Sequence, residues 1–168
     1  MIIQIRVDDR LVHGQIALVW SKALGTNKIV VANDNAAVNE TTKMTLNMAI
    51  PNGVKLMIRN VQDAITFFNN PKAKDVEMFT LTSNVQDALK LVNRCPGLVK
   101  AVNIANVGKF DSVPMNEKKA FLDGFFTKAE LDACIQLCKI DGLPVYHQIT
   151  PEKIQTSVHK ALEEAKLI

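Results

Sequence analysis

Residues 2–24 read IIQIRVDDRLVHGQIALVWSKAL, and three kinds of segment follow one another in them. The run at 2–7 is short, apolar and rich in branched side chains, as a buried strand is. From Ile16 the period changes: Ile16, Val19, Trp20 and Ala23 repeat at the spacing of one helical face. Between strand and helix lies the polar loop Asp8-Asp9-Arg10-Leu11-Val12-His13-Gly14-Gln15. Strand, loop and helix in so few residues form the opening unit of an α/β fold.

The unit recurs. Strand-like runs at 28–32, 54–58, 77–81, 101–104 and 143–147 alternate with helical patterns, among them Val61, Ala64, Ile65 and Phe68, and Val85, Ala88, Leu89 and Val92. Thr127 three residues before Glu130 predicts a capping box, and Thr150 followed by Pro151 and Glu152 predicts the start of the last helix. Steady alternation implies a mostly parallel, open, twisted sheet with helices on both faces. Residues 108–126 break the rhythm with Pro114, clustered charges and four phenylalanines, so a β-hairpin or flap is expected there. No linker, repeat or low-complexity tract divides the chain, and residues 1–168 are expected to form a single domain.

Composition narrows the class. The net charge of +3 is spread along the chain, without basic runs interleaved with aromatics, so nucleic acid is not an expected partner. No apolar stretch approaches the roughly 20 residues of a membrane span, and a cytoplasmic chain is expected. The three cysteines suggest neither a disulfide framework nor a metal site. Leu131, Cys134, Ile135 and Cys138 share the buried stripe of a helix, which makes the two thiols small hydrophobes.

In open α/β sheets ligands bind beyond the carboxyl ends of the strands. The first such loop brings Asp8, Asp9, Arg10 and His13 together ahead of a helix N-terminus. A neutral imidazole is a good nucleophile near pH 7, and the phosphoramidate it forms can transfer its phosphoryl group again. Arg10 can hold two phosphoryl oxygens with one planar fork. Asp8 or Asp9 can fix the tautomer of the ring, and turn or capping duty accounts equally well for either aspartate alone. Asn33, Asp34, Thr82, Ser83 and Asn84 could line the same crevice, though capping explains them at least as well. His147 and His159 lack such neighbours and read as a core or a surface histidine.

The segment VDDRLVHGQIALVW resembles the active-site segment of IIB proteins in the mannose/sorbose family of bacterial sugar phosphotransferase systems. IVVANDNAA, PNGVKLMIRNV and VNIANVG are similar to further segments of that family. The resemblance implies an α/β sheet of this order and a phosphocarrier. In it, His13 would accept phosphate from a phosphohistidine on the IIA component, hold it on Nδ1, and deliver it to a sugar carried by the membrane components IIC and IID. Arg10 would assist the passage to sugar, and no cofactor or metal is implied. Asp8, Asp9, Gly14 and Gln15 fall on the motif, Asn106 and Gly108 on a phosphate-side loop, and family members often form a homodimer. After Asn106-Val107-Gly108 the chain departs from the Gly-Met common in the family, which bears on backbone contacts from that loop to phosphate.

Two other α/β classes compete. A receiver-type signalling domain needs an acceptor aspartate after the third strand, where this chain has Arg59-Asn60, with Asp63 already in the next helical pattern. A small-ligand-binding domain would use the same crevice without catalysis.

Overall fold

The structure, a computed structural model, describes residues 1–14 and 16–168. In chain order the elements are β1 (Ile2–Asp8), α1 (Ile16–Leu24), β2 (Lys28–Ala32), α2 (Asp34–Val38), α3 (Glu40–Met48), β3 (Lys55–Arg59) and α4 (Val61–Phe68). They continue with β4 (Met78–Thr82), α5 (Val85–Arg94), β5 (Val102–Asn106), β6 (Lys118–Phe121), β7 (Gly124–Thr127), α6 (Lys128–Cys138), β8 (Val145–His147), β9 (Thr156–Ser157) and α7 (Val158–Glu164).

One seven-stranded sheet runs in the order β3-β2-β4-β1-β5-β8-β9, parallel except for the antiparallel β8–β9 pair. β1 lies between β4 and β5. The chain leaves β1 toward β2 on one side, and leaves β5 toward β8 on the other. A crevice opens at the carboxyl ends of strands whose connections diverge in this way.

The pleat sorts the core into two layers. Ile5, Val7, Val30 and Ala32 face one side with the apolar stripes of α4 to α7. Ile29, Val31, Phe79 and Leu81 face the other with Ala17, Trp20, Ala36 and Leu46. Helices therefore cover both faces. β6 and β7 form the expected hairpin, now bounded at 118–127. Its buried Phe121 and Phe126 rings meet edge to face at 5.2 Å.

Two expectations are corrected. The last helix does not open at Thr150: residues 150–153 turn, β9 intervenes, and the helix begins after Ser157, whose hydroxyl accepts from the Lys160 N–H. Gln148 Nε2 donates to the Pro151 and Lys153 carbonyls and holds that turn in place. In α1 the buried residues are Ala17, Trp20 and Ser21, whereas Ala23 is exposed. Cys134 is fully buried and Cys138 partly so on α6. Burial pushes both thiols up, Cys138 to about 11. No described helix is long and apolar enough to cross a membrane.

Candidate active site

Strand β1 alternates apolar and polar. Gln4, Arg6 and Asp8 share one face of it, and all three are buried. Arg6 donates from Nη1 to the carbonyls of Gln148 (3.2 Å) and Ile149 (3.1 Å) and from Nη2 to Asp8 Oδ2 (3.3 Å). Its guanidinium also lies 5.3 Å from the Trp20 ring centre. Burial pulls the guanidinium below its usual value, but an arginine stays charged. Asp8 is thus matched with a fixed cation.

Asp8 gathers the site. Its Oδ2 accepts from Asn106 Nδ2 (2.8 Å), His13 Nε2 (3.0 Å) and Arg6, and its Oδ1 accepts from the Arg10 backbone N–H (3.2 Å). Burial alone would raise this carboxyl. The hydrogen bonds from His13 and Asn106 and the charge of Arg6 outweigh burial and hold it below the ordinary range. An ionised Asp8 can only accept, so the ring proton of neutral His13 sits on Nε2 and the lone pair on Nδ1. No described residue hydrogen-bonds Nδ1.

The loop after β1 is tight. Leu11 N–H donates to Asp8 O at 2.8 Å, and Leu11, at φ +57°, takes a left-handed conformation that non-glycine residues rarely adopt. Strain of this kind persists where surrounding contacts over-determine it; here the Leu11 side chain is buried in the second core layer, to which Val12 and Trp20 also belong. Gly14 also has positive φ, at +49°, and is exposed. Gln15 lies outside the described residues.

Asp9 has a different task from Asp8. Its Oδ2 accepts the backbone N–H groups of Lys109 (2.7 Å) and Phe110 (2.8 Å), which pins the 107–113 loop beside β1. Those two amides are therefore engaged and do not form a phosphate cradle. Gly108, at φ +71°, is packed so closely that a Cβ would lie 1.8 Å from the Phe125 carbonyl oxygen. Lys118 Nζ binds Gly108 O at 2.9 Å and pairs with Asp111, so the loop is tied to the hairpin as well.

These elements surround a cleft of about 870 Å³ at the carboxyl edge of the sheet. Arg10 and His13 line it together with Asn33, Ser83 and Asn84. Asn33 and Asn84 also cap α2 and α5, so capping and lining coexist. Asp34 is instead engaged with the Val61 N–H, and Thr82 with Asn84 O. The cysteines lie outside this lining. His147 is a satisfied core histidine, with Nδ1 2.6 Å from Ile104 O and Nε2 2.9 Å from Asp123. His159 is exposed beside Glu163. No group of three or more His, Cys, Asp or Glu among the described residues is placed to hold a metal.

Sequence reasoning missed Arg6 and Tyr146. The signal for Arg6 was available as the polar alternation Gln4, Arg6, Asp8 inside an apolar strand. Tyr146 accepts from Gln4 at 2.8 Å across 142 residues, and nothing local announces it.

Known proteins share this sequence and fold. The profile of the family described as the PTS system sorbose subfamily IIB component matches residues 2–167. A probable phosphotransferase enzyme IIB component of Streptococcus pyogenes is 48% identical over 160 residues, covering 95% of this chain and 96% of that one. The mannose-specific EIIAB component of Escherichia coli is 29% identical over 162 residues, covering 96% of this chain and 45% of that one. Among solved structures, the IIBSor domain of the Klebsiella pneumoniae sorbose permease superposes with a TM-score of 0.86 at 25% identity, covering 98% and 97% of the two chains. Nothing favours the receiver or the non-catalytic binding domain over this relationship. With profile, relatives and fold in agreement along its whole length, the chain belongs to the sorbose subfamily of IIB components and is a phosphocarrier of a sugar phosphotransferase system.

Proposed function

We propose that His13 is the phosphoryl acceptor and that Nδ1 is the atom that carries the group. The observation behind this is the Asp8 to Nε2 hydrogen bond, which leaves the Nδ1 lone pair on a ring that lines the cleft. In the first step the P–N bond of a phosphohistidine on the IIA component breaks as Nδ1 bonds to phosphorus. Nε2 keeps its proton, so the phosphorylated ring is cationic and Asp8 offsets that charge. In the second step the P–N bond breaks, its electrons return to the ring, and a sugar hydroxyl takes the phosphoryl group. The hydroxyl proton passes to a base on the sugar-bearing membrane component. Asn106 and Arg6 keep Asp8 in place, and Arg10 neutralises charge on the transferring group.

The IIA donor is supported by the mannose-specific EIIAB relative, in whose name A and B components are joined. Residues 1–168 act as one IIB domain at the cytoplasmic face of the IIC and IID components. The raised thiols and the placement of the cysteines outside the cleft favour His13 over cysteine as acceptor.

Phosphoenolpyruvate-driven labelling through the general phosphotransferase proteins and a mannose-family IIA tests this. His13→Ala is expected to take up no label, whereas His159→Ala labels fully and yields an acid-labile, alkali-stable phosphate. Full labelling of His13→Ala overturns the assignment.

A further inference from the structure

We propose that Phe110 is a positioning residue for onward phosphoryl transfer, keeping the Arg10 guanidinium over its ring while the guanidinium attends a phosphoryl group on His13. This rests on the reading of His13 and Arg10 above. Arg10 lies three residues before His13, is exposed, and among the described residues forms neither an ion pair nor a side-chain hydrogen bond. Its one defined partner is the Phe110 ring, 4.8 Å from the guanidinium carbon to the ring centre. Phe110 is 63% exposed, which is unusual for so large an apolar side chain and is not explained by core packing.

The backbone beneath the ring is held firmly. Asp9 Oδ2 takes the Phe110 N–H at 2.8 Å and the Lys109 N–H at 2.7 Å. Gly108, one residue earlier, is wedged against the Phe125 carbonyl. A rigid loop thus presents an aromatic face to a flexible cation. That assigns Asp9 a part in the site without contact to the His13 ring: it fixes the platform on which Arg10 rests.

The strength of the contact suits a loose hold. An exposed cation–π pair is worth about 0.5–1 kcal/mol, less than a bidentate arginine–phosphate contact. The ring can therefore limit the arginine's wandering without competing with a phosphoryl dianion. A carboxylate in the same place would hold the guanidinium more firmly and would also repel the phosphate.

The test compares Phe110→Leu, which keeps apolar bulk but loses the π face, with Phe110→Tyr, which keeps both. Sugar phosphate formation from the phosphorylated protein is measured with cognate IIC and IID membranes, and each change is also made in an Arg10→Gln background. Phe110→Leu is expected to lower kcat for onward transfer about two- to fivefold, to leave KM for the membrane component unchanged, and to be rescued by tyrosine. In Arg10→Gln the leucine change should add nothing. The Arg10 Nε–H resonance should also keep its ring-current shift on phosphorylation of the wild type and lose it in Phe110→Leu. If Phe110→Leu has its full effect in the Arg10→Gln background, or raises KM with kcat intact, the ring serves partner docking and the proposal falls. If neither Phe110→Leu nor Phe110→Tyr alters turnover while Arg10→Gln does, Arg10 needs no positioning by the ring. If Arg10→Gln itself changes nothing, the reading of Arg10 fails, and the proposal with it.

Discussion

Asp8 is completely buried, carries a charge, and accepts four hydrogen bonds, so its environment has been built around the ionised form. Replacing it by asparagine removes that charge but leaves Arg6 buried and cationic with only carbonyls to face. Breaking a buried pair in this way costs about 3 kcal/mol or somewhat more. The pH dependence has a definite sign. A carboxyl held below its unfolded value, near 3.9, contributes stability that is full above about pH 4 and is lost as pH falls through the folded value. Urea unfolding should therefore show Asp8→Asn well below the wild type at pH 7, with the gap closing toward pH 3. A gap that stays constant across that range would show that the ionised form contributes nothing. The two aspartates of the loop could not be told apart from sequence, since either can cap, turn or orient. Strand period separates them: Asp8 continues the Gln4, Arg6 face to its end, while Asp9 has left the strand and points to residues a hundred positions later.

Whole elements show the same division between local and distant causes. The capping box at Thr127 and Glu130 was legible because both partners lie within one turn, and both of its bonds form. Five asparagines likewise cap helical segments: Asn33, Asn39, Asn60, Asn70 and Asn84. The Thr150-Pro151-Glu152 signal was equally good locally and still failed, because the partners of the 148–155 turn come from β1 and β5. Arg6 holds the Gln148 and Ile149 carbonyls there, and Asn103 holds Gln148 from both sides. Helices α2 and α3 went unread because their apolar stripes are thin; only Ala36 and Leu46 are buried in them. The hairpin is where an element can be tested as a unit. Gly108→Ala places a Cβ against backbone rather than a yielding side chain, at a φ that alanine disfavours. We expect a loss of about 2–4 kcal/mol in denaturant unfolding, together with slower phosphate acceptance as the Asp9 anchor loosens. An unchanged midpoint would mean that the loop rides free of the hairpin.

At the scale of the molecule, alternating strands and helices were enough to foresee a mostly parallel sheet covered on both faces. Strand order was not foreseeable, since it depends on pairings such as Asp8 opposite Asn106 across 98 residues. That order sets what the cleft can recognise. Its lining includes Arg10, His13, Asn33, Ser83 and Asn84 but no aromatic ring. The single Trp is buried behind the site with its indole N–H given to Ile149 O, and the single Tyr is bonded to Gln4. Sugar rings are commonly gripped by stacking on exposed aromatic faces; none lines this cleft, and the exposed Phe110 ring beside it is occupied by the Arg10 guanidinium. Recognition of the sugar should then reside in the membrane components, with this chain supplying only an activated phosphoryl group. Phosphorylated protein mixed with free hexoses or amino sugars is expected to form no sugar phosphate above the rate of spontaneous hydrolysis, and formation should begin when membranes bearing cognate IIC and IID are added. The measurement is sugar phosphate produced with and without those membranes at equal phosphoprotein concentration. Rapid, saturable phosphorylation of a free sugar by the isolated chain would place a sugar site within the cleft, and the separation between carrying the phosphoryl group and choosing its acceptor would not hold.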